Sequence, residues 1–151
     1  MTQFRGNITN KLDKKGRVSV PATFRDILAG EGLVLRRSWR HPCIEAWPAS
    51  RFESEVASTG PLDELTEEDD HFAYAMCSDV VDLSPDSEGR VVLPEQLIAH
   101  ANLSEGVTFM ARRSFFELWE PTAAAAQIEA SRAAMVARLA KRRAANDGEA
   151  A

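Results

Sequence analysis

The chain has 151 residues, of which 44% are hydrophobic and 27% charged, and its formal net charge is −5 at pH 7. This composition is ordinary for a globular protein and excludes global disorder and a collagen-like structure, and no apolar run approaches the about 18–20 residues that a membrane span requires. Because the first ten residues, MTQFRGNITN, lack the apolar segment of a signal peptide, we expect a cytoplasmic protein that does not bind membranes.

The first predicted unit, residues 4–50, is a β-β-α-β-β arrangement. Asp13 is expected to hydrogen-bond its own backbone and open a turn, in which Gly16 supplies a positive φ. Pro21 lacks an N–H and therefore suits the first helical position, where that donor has no partner. The elements are, in order, strands over 8–12 and 17–20, a helix from Pro21, and a hairpin with strands over 33–37 and 43–47.

An acidic helical connector is predicted over residues 51–79. Its first helix places Phe52 and Val56 on one face, four residues apart. The Gly60–Pro61 pair ends this helix, and a second one is capped at Thr66 and extends to Met76.

The second predicted unit, residues 80–120, repeats the first. Residues 86–94 (DSEGRVVLP) match residues 13–21 (DKKGRVSVP) at Asp, Gly, Arg, Val and Pro, with a constant offset of 73. Two further blocks match in the same order, which indicates an internal duplication; they are 31–33 with 105–107 and 44–47 with 116–119. The elements are strands over 80–83 and 90–93, a turn formed by Asp86 and Gly89, a helix from Pro94, and a hairpin with strands over 107–112 and 115–119.

A C-terminal helix is predicted over residues 121–145, followed by a tail over 146–151. The helix is rich in alanine, which favours helix without tertiary contacts, and it carries a thin apolar stripe formed by Ile128, Met135 and Leu139.

The two repeated units are each too small to enclose a core of their own, since each has only about 45 residues. Two copies in one chain can interleave their strands and bury a common core. The predicted fold is therefore α+β, with an interleaved β-barrel-like core, connecting helices and a C-terminal helix.

The negative net charge hides an uneven distribution of charge along the chain. Residues 1–51 carry ten Lys and Arg against four Asp and Glu, whereas residues 52–111 carry one Arg against fourteen acidic residues. A basic segment of this kind is typical of a surface that binds a polyanion.

The basic residues of that segment concentrate around the first turn. Arg17 and its repeat equivalent Arg90 each begin a strand, and an arginine fork suits a guanine edge or a phosphate; a solvated guanidinium is the alternative for both. The nearby lysines and a basic N-terminal arm suit phosphate contacts. The candidate DNA-binding residues are Arg5, Lys11, Lys14, Lys15, Arg17 and Arg90.

Motifs of catalysis and of metal binding are weak or missing in the sequence. It contains no Gly-x-Ser-x-Gly elbow, Walker loop or dinucleotide fingerprint, so we expect no catalysis and no cofactor. The best candidates for metal ligands are His41, Cys43, His71 and Cys77. Their spacings fit no usual zinc pattern, so no metal is expected. Two cysteines form no disulfide framework, which suits a reducing compartment.

The repeated motifs resemble those of the MraZ family. The similarity extends from about residue 4 to 120 and is carried by 4–6, 12–21, 41–43, Asp86, Arg90 and Pro94. It implies two tandem AbrB-like swapped-hairpin units in a ring-shaped homo-oligomer larger than a dimer. It also implies a bacterial, nucleoid-associated transcriptional regulator, often a repressor, that binds repeated boxes in double-stranded promoter DNA of the division and cell-wall gene cluster.

The second unit departs from the family pattern at several positions, which include Asn102, where a Gly is common, and Ser84–Pro85 before the turn. Arg25 has no basic counterpart near residues 96–98, and Glu88 is acidic where Lys15 is basic. Two other functions stay open: an AbrB-like antitoxin-type regulator that binds a partner protein through the C-terminal helix, and a ring scaffold without sequence preference. The duplication favours the regulator, because antitoxins of that kind usually have one hairpin unit.

Overall fold

A computed structural model describes residues 3–58 and 66–150 of the chain. Its contacts divide the protein into two compact units, residues 1–120 and 121–151. Among the described residues, no helix is both long and apolar enough to cross a membrane.

The first compact unit contains strands and helices in the predicted order. The strands are β1 (Asn7–Lys11), β2 (Arg17–Ser19), β3 (Leu33–Arg37), β4 (Ile44–Pro48), β5 (Val80–Leu83), β6 (Arg90–Val92), β7 (Gly106–Ala111) and β8 (Phe116–Trp119). The helices are α1 (Ala22–Leu28), α2 (Ala49–Ser58), α3 (Glu67–Ala73) and α4 (Glu95–His100).

Strands of the two repeats are interleaved in a six-stranded sheet of order β1-β7-β8-β4-β3-β5. The first strand of each repeat pairs with the hairpin of the other, since β1 lies against β7 and β5 lies against β3. Strands β2 and β6 form a separate two-stranded antiparallel ribbon. The interleaved α+β fold is thus confirmed, because each repeat's strands are completed by those of the other.

The core lies on one face of this sheet and is built from both repeats. Phe4 and Phe24 of the first repeat meet Phe109 and Phe116 of the second, with ring centroids 5.0–6.5 Å apart. All four side chains are at most 2% exposed. Such rings contribute strongly to core stability through buried area and edge-to-face contacts, so the two repeats stabilise each other.

The opposite face of the sheet buries two glutamates directly across from one another. Glu45 on β4 and Glu117 on β8 are register partners, and each accepts a hydrogen bond from the tryptophan indole two residues later. The distances are 2.9 Å for Trp47 and 3.0 Å for Trp119, and the same carboxylates accept bonds from Arg36 and Arg112. Buried carboxylates need such partners, so both tryptophans have a structural role.

The acidic connector is helical on both sides of residues 59–65. Phe52 of α2 is buried, and Thr66 caps α3 by accepting a hydrogen bond from the Asp69 N–H at 3.1 Å. The predicted break at Gly60–Pro61 lies outside the described residues. Regular α-helix ends at Ala73 and continues as a π-helical turn (Tyr74–Ser78), which buries Met76.

The second compact unit is the single helix α5 (Pro121–Ala150). It extends beyond residue 145, where the predicted helix ended, because alanine continues after the Lys-Arg-Arg cluster and one Gly close to the end is tolerated. Its apolar side chains are largely exposed, with values of 40% for Ile128, 54% for Met135 and 49% for Leu139.

We expect a chain that ends at Glu120 to remain folded, because the sheet, the ribbon and the phenylalanine core all lie within residues 1–120. The midpoint of thermal unfolding, followed by circular dichroism at matched concentration, should stay within about 4 °C of the full-length value. A truncated chain without a cooperative transition would contradict this division of the molecule.

Candidate nucleic-acid interface

The first turn is organised by the Asp13 carboxylate. Oδ1 accepts hydrogen bonds from the backbone N–H groups of Lys15 and Arg17, each at 2.9 Å, and Oδ2 accepts one from Arg17 Nε at 2.6 Å. These bonds hold the pKa of Asp13 below its ordinary value. The largest contribution comes from the Arg17 N–H, and smaller ones come from the Arg17 side chain and the Lys15 N–H. Gly16 has φ +81°, as predicted. The carboxylate thereby fixes where the Arg17 side chain begins.

The second turn repeats this arrangement with one additional acid. Asp86 Oδ1 accepts from the N–H groups of Glu88 (2.9 Å) and Arg90 (3.0 Å), and these backbone bonds lower its pKa. Arg90 Nε lies 3.3 Å from Asp86 Oδ2, and Arg90 Nη2 lies 3.1 Å from Glu88 Oε2. The Arg90 guanidinium is therefore shared between two carboxylates, whereas Arg17 has one.

The ribbon places both arginines on one exposed face. Ser19 is the register partner of Arg90, and Val92 is that of Arg17, so these four side chains project from the same side. The alternate pair, Val18 and Val91, points into the core and is at most 4% exposed. From strand spacing, the Cα atoms of Arg17 and Arg90 lie roughly 8 Å apart. A two-stranded ribbon of this kind fits the major groove of B-DNA.

Three lysines extend the positive surface at the first turn only. Lys14 and Lys15 lie in the turn itself, and Lys11 ends the strand that leads into it; all three are exposed. The second turn has Ser87 and Glu88 where the first has Lys14 and Lys15. The two ends of the ribbon therefore differ strongly in charge.

Arg5 lies away from these turns. Phe4 bridges to Arg113, with a 2.8 Å hydrogen bond from the Phe4 N–H to the Arg113 carbonyl, so Arg5 lies near the β7–β8 hairpin. A bend at Gly6 and strand β1 (Asn7–Lys11) separate Arg5 from Lys11, and the strand alone spans about 13 Å. The structure therefore gathers Lys11, Lys14, Lys15 and Arg17 at the first turn, places Arg90 at the second turn of the same ribbon, and leaves Arg5 at another edge.

Arg25 of α1 is a further arginine at the second turn that sequence analysis missed. The Val20 N–H donates to the Gly89 carbonyl at 2.9 Å, and the Leu93 N–H donates to the Gly16 carbonyl at 2.8 Å. Each helix thus starts against the turn of the other repeat. The internal alignment pairs Arg25 with Ile98, but an alignment alone does not reveal that the helices are exchanged.

Within the described residues, no group of three or more His, Cys, Asp and Glu side chains is arranged to hold a metal ion. Cys43 is fully buried. Burial raises the pKa of its thiol, and the nearby Glu117 carboxylate raises it further. Cys77 is exposed on the π-helical turn. The four side chains considered as zinc ligands therefore do not form a cluster.

A family model described as "MraZ protein, putative antitoxin-like" matches residues 3–71 and 76–145. These two matches confirm the tandem repeat. Similar proteins include the transcriptional regulators MraZ of Gluconacetobacter diazotrophicus (45% identical over 130 residues, 82% of each chain), Gluconobacter oxydans (38% over 138 residues, 87% of this chain and 84% of that protein) and Rickettsia bellii (42% over 117 residues, 76% and 78%).

Proposed function

The chain belongs to the MraZ family, and from this premise we propose that it is a transcriptional regulator that binds double-stranded DNA sequence-specifically through the β2/β6 ribbon. The observation that carries the proposal is the placement of Arg17 and Arg90 on the same exposed face of that ribbon. A guanidinium at such a position can donate two hydrogen bonds to O6 and N7 of a guanine, or bind a phosphate.

The roles of the other candidates follow from their positions. Lys11, Lys14 and Lys15 surround the first turn and suit phosphate contacts, which position the protein without selecting bases. Asp13 and Gly16, with their counterparts Asp86 and Gly89, shape the turns. Val92 is 59% exposed on the outer face and suits the methyl group of thymine. Arg5 offers a separate phosphate contact away from the ribbon.

We further propose that the protein acts as a ring-shaped homo-oligomer on repeated operator boxes, as a nucleoid-associated repressor of the division and cell-wall gene cluster. One ribbon offers only a few phosphate contacts, too few for tight binding at physiological salt. Several copies on one ring make later contacts intramolecular, which raises avidity by about 10²–10⁴. An oligomer that contacts several repeated boxes at once would therefore bind the operator more tightly than one protomer on one box.

The test of this function is a footprint followed by a binding titration. DNase footprinting of the purified protein on the DNA immediately upstream of its own gene identifies a protected duplex. Affinities are then compared for that duplex and for a scrambled duplex of the same length and base composition, with competitor DNA present. Selective protection supports a sequence-specific regulator, whereas equal affinities indicate a scaffold without sequence preference.

Self-association can be tested independently of DNA. In the described part of the chain, β1 and β5 have a neighbouring strand on one side only, and native proteins seldom leave sheet edges bare. Two different edges favour head-to-tail contacts, which close into a ring. Light scattering at micromolar concentration is expected to give a mass above twice that of one 16.6 kDa chain; a stable monomer or dimer would contradict the ring.

The Glu88→Gln variant is expected to bind DNA about threefold more tightly at low salt, because a surface charge next to the polyanion is removed and Arg90 is released from one of its two carboxylates. Glu53→Gln is the matched control, since it removes an exposed acid from α2. Equal affinities for these two variants in a fluorescence anisotropy titration would show that Glu88 does not weaken the second turn.

An antitoxin-type regulator is the second candidate function, and the exposed apolar side chains of α5 favour it. In that case a partner protein binds the C-terminal helix. The truncated chain of residues 1–120 separates the two functions. We expect it to keep its discrimination between the footprinted and scrambled duplexes, whereas a protein whose regulation depends on a partner at α5 would lose its activity in vivo.

A further inference from the structure

The two turns of the ribbon differ in the side chain that the exchanged helix brings to each. At the first turn, a Cβ atom built on Gly16 would lie 3.5 Å from Cδ1 of Ile98, an apolar side chain of α4. At the second turn, the corresponding neighbour is Arg25 of α1. A cation therefore occupies the position at which the pseudo-equivalent turn has an isoleucine.

Arg25 is held in one place by the backbone around it. A Cβ atom on Gly89 would lie 2.6 Å from both Cζ and Nε of Arg25 and 2.8 Å from its Cδ, so the Arg25 side chain fills the space that a side chain at residue 89 would need. Its Nε–H donates to the Val20 carbonyl at 3.1 Å. The side chain is half-buried and much of its conformational entropy is already lost before any ligand binds.

The outer end of this guanidinium retains its hydrogen-bonding capacity. An arginine has five N–H donors, and Nε uses one of them. In the described part of the chain, no carboxylate forms an ion pair with Arg25, although Asp86 lines the same cleft of 180 Å³. Asp86 is already bonded to Arg90, and Glu31, which also lines this cleft, accepts from the Ser50 N–H.

The second turn has a net negative charge unless Arg25 is counted with it. The two negative charges of Asp86 and Glu88 outnumber the one positive charge of Arg90, so this turn by itself repels a phosphate. The first turn instead has three positive charges, on Lys14, Lys15 and Arg17, against the one negative charge of Asp13. Arg25 adds the missing positive charge beside Gly89, one residue before Arg90. A fixed guanidinium with free donors is suited to a charge-assisted bond with phosphate oxygens.

We propose that Arg25, carried by the helix of the first repeat, is a DNA-contacting residue of the second turn and binds a backbone phosphate. This inference rests on the proposed DNA-binding function. It makes the second turn a composite site: Arg90 comes from one repeat and Arg25 from the other. The alternative is a purely structural role, in which Arg25 only covers Gly89.

The test compares Arg25→Gln with Arg40→Gln in the full-length protein. Arg40 is exposed on the β3–β4 loop, so its substitution changes the net charge equally without affecting either turn. Affinities are measured by fluorescence anisotropy for the footprinted duplex and its scrambled counterpart, between about 50 and 200 mM salt. Arg17→Ala and the wild-type protein are included in the same series.

We expect Arg25→Gln to weaken binding to both duplexes about tenfold, the effect of one lost charge-assisted hydrogen bond. The log–log salt slope should fall by about 0.9 for each bound protomer. Arg25→Lys, which keeps the charge but not the fork, should retain most of the slope. Arg40→Gln is expected to bind as the wild type does.

An unchanged salt slope for Arg25→Gln, with affinity within twofold of Arg40→Gln, would overturn the proposal, even if the variant melted earlier. If Arg25→Gln does not fold, Arg25→Met, which keeps an unbranched side chain against Gly89 but lacks the charge, is measured in its place, and an unchanged salt slope with affinity within twofold of Arg40→Gln would overturn the proposal as well. Failure of the proposed function has a different signature: the wild type would not distinguish the footprinted from the scrambled duplex, and Arg17→Ala would have no effect.

Discussion

The Arg17→Ala variant is expected to lose more than tenfold of its affinity for the footprinted duplex, with a smaller loss for the scrambled duplex. Arg17 lies on the outer face of the ribbon, its side chain is 40% exposed, and exposed Lys14 and Lys15 precede it. A bidentate contact to guanine is worth about 1–3 kcal/mol of discrimination. In the proposed ring, several copies contact neighbouring boxes at once, so the loss per operator is expected to exceed that of one contact.

The matched control for this experiment is Arg37→Ala. Arg37 is also exposed and also bonded to an exposed aspartate, with Nη2 at 2.8 Å from Asp79 Oδ2, but it lies on β3 outside the ribbon. Both variants should keep the wild-type circular dichroism and oligomer mass. Equal losses of affinity for the two variants, or wild-type selectivity for a correctly assembled Arg17→Ala protein, would contradict direct readout by the turn.

The turns were predictable from the sequence because their geometry is local. Asp13 bonds to backbone groups two and four residues later, and Gly16 supplies the positive φ within the same five residues. The constant offset of 73 then predicted the second turn at Asp86 and Gly89 without further information. Arg17 and Arg90 were likewise predicted to begin strands, and the structure places the next residue of each strand, Val18 and Val91, in the core.

The contributions from sequence-distant residues were not predictable in this way. The six-stranded order results from pairing between repeats, such as β1 with β7 across about a hundred residues, and nothing in a local window specifies it. The place of Arg25 at the second turn was not predictable for that reason, since its neighbour Gly89 belongs to the other repeat. Arg5 was predicted to contact phosphate as part of a basic N-terminal arm, and its position away from the lysines results from strand β1, which lies between them.

The buried glutamates show a signal that was visible but not interpreted. Both hairpins carry Glu and Trp two residues apart, in residues 45–47 and 117–119, and such residues lie on the same face of a strand. An acid and an indole on one face can form the bond that the structure contains. The match of these blocks therefore indicates a buried polar arrangement that is repeated in each unit, as well as a duplication.

Phe24→Ala is expected to destabilise the protein by about 3–5 kcal/mol, the usual cost of removing a buried aromatic ring. Phe24 is fully buried, and its ring centroid lies 5.4 Å from that of Phe4 and 5.0 Å from that of Phe116. Because Phe116 belongs to the other repeat, the cavity that Phe24→Ala creates would weaken the packing of both repeats. This cost is a large part of the about 5–15 kcal/mol that stabilises a domain.

The measurement is urea unfolding of full-length Phe24→Ala, followed by tryptophan fluorescence and by circular dichroism. The matched control is Tyr74→Ala, which removes an aromatic ring that is 64% exposed and should change stability by at most about 0.5 kcal/mol. Because Trp47 lies in the first repeat and Trp119 in the second, fluorescence reports on both. A single transition, shifted as a whole, is expected from a shared core. Two separate transitions with only one of them shifted would mean that each repeat folds around a core of its own, and the interleaved sheet would then contribute little to cooperativity.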